Sequence, residues 1–176
     1  FVNGMSANEN RTLRYKTLLD CISVPDNGLV QQCIDIFYET FDNYAELFPG
    51  VTDLLQRLKD DHYQIAIITE RPHDSAEHAL DSLGLTPYVD LLMTTGGERL
   101  TKPDGLFLRA LEHMKTDAAG TTFVGDRIDR DIRPALAAGM KAIWYLQPDL
   151  PREKIPEDLK KLTTLISDHQ DVLKLI

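Results

Sequence analysis

Three short stretches of this chain carry residue types that can grip an oxygen-rich anion. They are Thr69-Glu70-Arg71, Lys102-Pro103-Asp104, and Gly125-Asp126-Arg127-Ile128-Asp129-Arg130-Asp131. A threonine hydroxyl and nearby backbone N–H groups can hold phosphate oxygens, and a lysine can offset phosphate charge as a point cation. Clustered carboxylates suit Mg²⁺, a hard ion that takes oxygen ligands and keeps several waters. The set fits phosphoryl transfer, where catalysis is mostly positioning and charge stabilisation. Each piece alone has a plainer explanation. Thr69 could be a β-branched residue ending a strand, Lys102 a solvated loop lysine, and the acids a helix N-terminus favoured by its dipole. Their order along the chain, each just after a strand, argues for a site.

Those strands are legible in the hydrophobic pattern. Gln64 to Thr69, Val89 to Thr94, Thr121 to Val124 and Ala142 to Leu146 are short apolar runs, as strands buried on both faces should be. Between them, Ala76-Ala79-Leu80-Leu83, Phe107-Ala110-Leu111-Met114 and Ile132-Ala135-Gly139 fall at helical spacing, and Gly84 is placed to end the first of these helices. Alternation of strand and helix predicts an α/β fold, a Rossmann-like parallel sheet with helices on both faces. Ligands of such sheets bind at the carboxyl ends of the strands, where the three stretches lie. Leu165-Ile166 predicts a last short strand before a C-terminal helix, beyond a loop punctuated by Pro148, Pro151 and Pro156.

Helices come before any strand. Ser6-Ala7-Asn8-Glu9 has the letters of a capping box, and Tyr15, Leu18, Leu19 and Ile22 follow at helical spacing. After the turn Val24 to Gly28, a second helix places Val30, Cys33, Ile34, Phe37 and Phe41 on one face. Phe48-Pro49-Gly50 breaks it, and a third helix carries Val51, Leu54, Leu55 and Leu58. The first two helices predict a helical appendage of roughly forty residues.

Composition bounds the function. The 176 residues are 43% hydrophobic and 27% charged, which fits one globular domain and excludes bulk disorder. Nineteen basic against 28 acidic residues give a formal charge of −9, unsuited to binding nucleic acid through a basic surface. No apolar run is long enough to span a membrane. Cys21 and Cys33 are too few for a disulfide scaffold, are expected as small core residues, and point to a reducing, cytoplasmic setting. The histidines lack metal-ligand spacing and are expected at the surface.

These motifs resemble the haloacid dehalogenase superfamily, specifically its phosphatases with a helical cap. Ile67-Ile68-Thr69 resembles the family's second motif, whose hydroxyl binds phosphate. Lys102-Pro103-Asp104 resembles the third, whose lysine pairs with phosphate and nucleophile. Gly125-Asp126 with Asp131 resembles the fourth, whose acids hold Mg²⁺ directly or through water. Phe48-Pro49-Gly50-Val51 resembles the re-entry from cap into core. The resemblance implies a cap over 6–47 and a core formed by 1–5 and 48–176. It implies Lys102 and Thr69 as catalytic residues and Thr69, Glu70, Arg71 and Lys102 as substrate-binding. Asp126 and Asp131 would hold Mg²⁺, with Asp129 competing for the second place. The implied partner is a small phosphorylated metabolite, with no oligomeric state specified.

One departure stands out. The family's first motif, DxDxT, supplies the nucleophile and the general acid at the end of the central strand, and it does not occur here upstream of the cap. Phe1-Val2-Asn3-Gly4 looks like the residues just after it, so the nucleophile is expected upstream of Phe1. The alternatives are a non-catalytic phosphate-binding or regulatory module of the same fold, or a phosphomutase.

Overall fold

The computed structural model describes residues 7–98, 100–146, 156–159 and 161–176. The expected cap at Ser6, the segment Phe1 to Gly4, and Pro148 and Pro151 lie outside the described residues. Backbone contacts divide the chain into two units, one running up to Leu47 and resuming at Ile67–Thr101, the other Phe48–Ala66 with Lys102–Ile176.

In the first unit, α1 (Ala7–Cys21) packs on α2 (Leu29–Tyr44), and α2 on α4 (His73–Ser82). The turn into α2 is built by Asp26, whose Oδ1 accepts the Val30 N–H at 3.0 Å. Gly28 adopts the left-handed conformation at φ 85° that this turn needs, where a Cβ would be strained. Val30 and Ile34 of α2 are buried as the spacing predicts, but Phe41 is exposed. On α1 the expected apolar face holds only in part: Tyr15 and Leu19 are half-buried, Leu18 and the following Ile22 are exposed, and Asn10 is buried. Cys21 is likewise exposed rather than core. Strands β1 (Ala66–Thr69) and β2 (Leu91–Thr94) form a two-stranded sheet. Gly84 ends the α4 region with φ 67°. A short helix, α5 (Thr95–Glu98), follows β2 where the sequence suggests only loop.

In the second unit, β3 (Thr122–Gly125), β4 (Lys141–Tyr145) and β5 (Thr163–Ile166) form a parallel sheet in that order. The register pairs Gly125 with Trp144 and Trp144 with Leu165, so β4 is central. The other helices are α3 (Val51–Asp60), α6 (Phe107–Met114) and α7 (Arg133–Ala137). Leu106, Phe107 and Ile132 are almost wholly buried, each worth about 1.5–3 kcal/mol of apolar transfer. Phe107 meets Phe123 edge-on at 4.6 Å between ring centres. A second cluster joins Leu54 of α3 to Ile143, Tyr145, Ile166 and Val172. The parallel strands and interleaved helices make this an α/β fold. The described strands fall into two sheets. The C-terminal helix is a 3₁₀ segment, His169–Lys174, opened by Asp168 accepting the Gln170 N–H.

His169 is not a surface histidine. Its ring stacks on Tyr145 at 4.1 Å and lies 5.3 Å from Phe48. Burial pulls its pKa below the ordinary 6.5, with the Asp168 carboxylate opposing. A histidine with a depressed pKa binds fewer protons folded than unfolded, so stability rises with pH. His169 should therefore support full stability above about pH 6.5, and that share should fade as pH falls below it toward the folded-state value. Denaturation midpoints taken across pH 5–8 should show this slope, and His169→Phe should flatten it. An unchanged slope in the variant would contradict the assignment.

Candidate functional site

The acidic stretch starts where β3 stops. The β3–β4 ladder ends at the Gly125–Trp144 pair, and the chain turns away at Asp126. A wide helical turn, Ile128–Ile132, then brings Asp131 back beneath the strand end. Asp131 is buried, and three groups converge on it. Lys102 Nζ donates to its Oδ1 at 2.6 Å, and the Arg127 N–H donates to its Oδ2 at 3.0 Å. The third is the Asp126 carboxyl.

Asp126 and Asp131 sit close enough to perturb each other. Local crowding pushes the Asp126 carboxyl above its ordinary range, although the residue as a whole is exposed. The Asp131 carboxylate pushes it further, through its charge and through a side-chain hydrogen bond, while Lys102 pulls the other way. Two carboxylates meet here, with Lys102, Arg127 and Arg130 all near enough to act on their charge. That donor set fits a hard, oxygen-seeking cation. The described residues contain no cluster of three or more acidic, histidine or cysteine ligands, so a bound Mg²⁺ would rely on water for much of its shell, as that ion commonly does. Asp129 goes elsewhere. It forms an exposed pair with the Arg127 guanidinium at 2.9 Å, which lowers its pKa.

Lys102 is held by more than its charge. It begins a kinked turn, Lys102–Leu106, in which Gly105 takes φ 106° before α6. Only 13% of its side chain is exposed, and its ammonium lies 5.6 Å from the centre of the Phe123 ring. Gly125 has a packing role. A Cβ there would sit 2.6 Å from Asp131 Cβ and 2.7 Å from the Phe123 ring, so only glycine lets Asp131 approach the strand.

Thr69, Glu70 and Arg71 belong to the first unit, at the end of β1. Thr69 Oγ1 accepts the Arg71 N–H at 3.2 Å, a local turn that fixes the hydroxyl and leaves its O–H as a donor. Glu70 is half-buried. Arg71 is more committed than its expected role suggests. Its Nη2 donates to Asp42 Oδ1 at 2.6 Å and to Ser75 Oγ at 2.7 Å. Tyr38 and Phe41 of α2 flank the guanidinium, with ring centres 5.3 and 5.1 Å away. Asp42 therefore already offsets the Arg71 charge. No spacing rule could find it, since it lies 29 residues from its partner.

The comparisons agree with this architecture. The haloacid dehalogenase-like hydrolase family matches residues 8–145, and the chain belongs to that family. It is 28% identical over 144 residues to the ribulose-1,5-bisphosphate 5-phosphatase of Halopiger xanaduensis, covering 81% of this chain and 60% of that protein's length. The magnesium-bound structure of YfnB from Bacillus subtilis has the same fold, with a TM-score of 0.76 and 20% identity over 97% of this chain and 72% of that one. A 2-haloacid dehalogenase from Pseudomonas syringae is similar at a TM-score of 0.67 and 26% identity, over 97% of this chain and 71% of that one.

The Lys102–Asp131 pair should be costly to break. Asp131→Ala strands a nearly buried ammonium and one backbone donor, an expected loss of about 3–5 kcal/mol. It should appear as a lower denaturant midpoint at unchanged slope. Lys102→Met combined with Asp131→Leu should recover much of that loss. A single variant as stable as the parent would contradict the pairing.

Proposed function

We propose that this hydrolase cleaves phosphoric monoesters of small metabolites and uses Mg²⁺ held at Asp126 and Asp131. The observation that carries the proposal is the convergence of Lys102, Asp126 and Asp131 at the end of β3. Family membership and similarity to a sugar-bisphosphate phosphatase support it. The acidic pair favours this reading over haloacid dehalogenation, for which the family resemblance implies no metal.

Each residue then has a physical task. The Thr69 hydroxyl and neighbouring backbone N–H groups orient phosphate oxygens. Lys102 places positive charge against the phosphoryl group as its negative charge shifts in the transition state. Asp131 holds the Lys102 ammonium in place. Arg71, neutralised by Asp42, shapes the loop beside Thr69 more than it adds charge. When bound, Mg²⁺ supplies charge neutralisation at the phosphoryl oxygens and at the attacking carboxylate. In the chemistry that the family resemblance implies, the attacking group is the aspartate of the first motif. Its oxygen displaces the alcohol from phosphorus, the alcohol leaves with a proton, and water hydrolyses the acyl phosphate. The helices within 6–47 act as the cap that selects the substrate.

Asp126→Ala in the full-length enzyme should abolish Mg²⁺-dependent phosphate release while leaving the fold intact, as judged by circular dichroism. Retained Mg²⁺-dependent turnover would overturn the assignment of Asp126.

A further inference from the structure

Trp144 is the only tryptophan in the sequence, and the proposed chemistry has no use for it. It is buried in the central strand β4, paired on one side with Gly125 and on the other with Leu165. A fully buried indole needs a partner for its N–H. Here Nε1 donates at 3.0 Å to the carbonyl oxygen of Asp126. The register explains why that carbonyl is available: the β3–β4 pairing stops at Gly125, one residue earlier.

The same peptide group is gripped from its other side. The amide that follows the Asp126 carbonyl is the Arg127 N–H, which donates to Asp131 Oδ2 at 3.0 Å. One peptide plane thus accepts from Trp144 and donates to Asp131, while carrying the Asp126 side chain on its leading residue. Rotation of that plane would move the Asp126 attachment and the anchor of Asp131 together. Loss of the indole bond would also leave a carbonyl at the strand end without this partner, although packing around it would persist.

From this geometry we infer that Trp144 is a positioning residue for the Asp126–Asp131 carboxylate pair. It acts through the Asp126–Arg127 peptide and touches no substrate. The inference rests on the proposed function in taking those two carboxylates as the cation site. Hydrogen-bond partners behind metal ligands typically govern affinity by about 10–100-fold.

The bond at Trp144 can be removed almost atom for atom. Growth of a tryptophan auxotroph on benzothienylalanine replaces the indole N–H by sulfur at this position. Mn²⁺ is the probe, and the free ion is counted by electron paramagnetic resonance in titrations of the full-length protein. The native protein should bind Mn²⁺, and the sulfur analogue should bind it about 10–100-fold more weakly. Trp144→Phe should weaken binding similarly if it folds. Equal affinity in native and analogue protein, even with a lower melting temperature in the analogue, would overturn the positioning role while leaving the cation site standing. Absence of Mn²⁺ binding by the native protein, or binding unaffected by Asp126→Asn, would overturn the cation site and the positioning role together.

Discussion

The second unit is organised around a nearly buried ion pair, Lys102 with Asp131. Two charges withdrawn from water incur a large desolvation penalty, and mutual attraction offsets it only when geometry is good and the remaining polar atoms are satisfied. Both conditions explain features nearby. The Arg127 N–H satisfies the second oxygen of Asp131. Gly125 opens the space that Asp131 enters. The kinked turn at Gly105 brings Lys102 in ahead of the buried Leu106 and Phe107. A pair of hydrophobic residues could fill the same volume with less electrostatic cost. A buried ion pair beside an extra carboxylate makes sense where the local charge has work to do on a ligand.

The residues expected to carry chemistry are divided between the two units. The first presents a hydroxyl fixed by its own turn and an arginine already paired with Asp42. The second presents the lysine and the acidic pair. Arg71 and Lys102 are each paired within their own unit, Arg71 with Asp42 and Lys102 with Asp131. An overall charge of −9 would oppose anionic substrates, so a local cation matters more here than in a basic protein.

Much of this was legible in the sequence because strands and helices were strongly patterned. The run Gln64 to Thr69 yields a strand that is only half-buried, while the Gly84 terminator and the buried Phe107-Ala110-Leu111 face follow local spacing. Asp126 and Asp131 drew attention because they follow a strand end at the spacing of the family's fourth motif, although a helix N-terminus also explains acids there. Motif spacing favoured Asp131 over Asp129, and Asp129 makes an exposed pair with Arg127. What remained hidden depends on three-dimensional neighbours. Asp42 meets Arg71 across 29 residues, and Trp144 reaches Asp126 only because of the strand register. On α1, helical spacing at Leu18 and Ile22 suggested a buried face that the fold leaves exposed, since periodicity specifies a stripe without specifying what covers it. Helix α5 was hidden by its two glycines, which favour loops locally.

The most direct test of the account compares the two chemistries found among its relatives. Full-length protein would be supplied with a panel of small phosphomonoesters and, separately, with 2-haloacids, each with Mg²⁺ and with chelator. Released phosphate and halide would be measured. The account predicts phosphate release that requires Mg²⁺ and no halide release under either condition. Halide release that persists in chelator, or phosphate release indifferent to chelation, would contradict it.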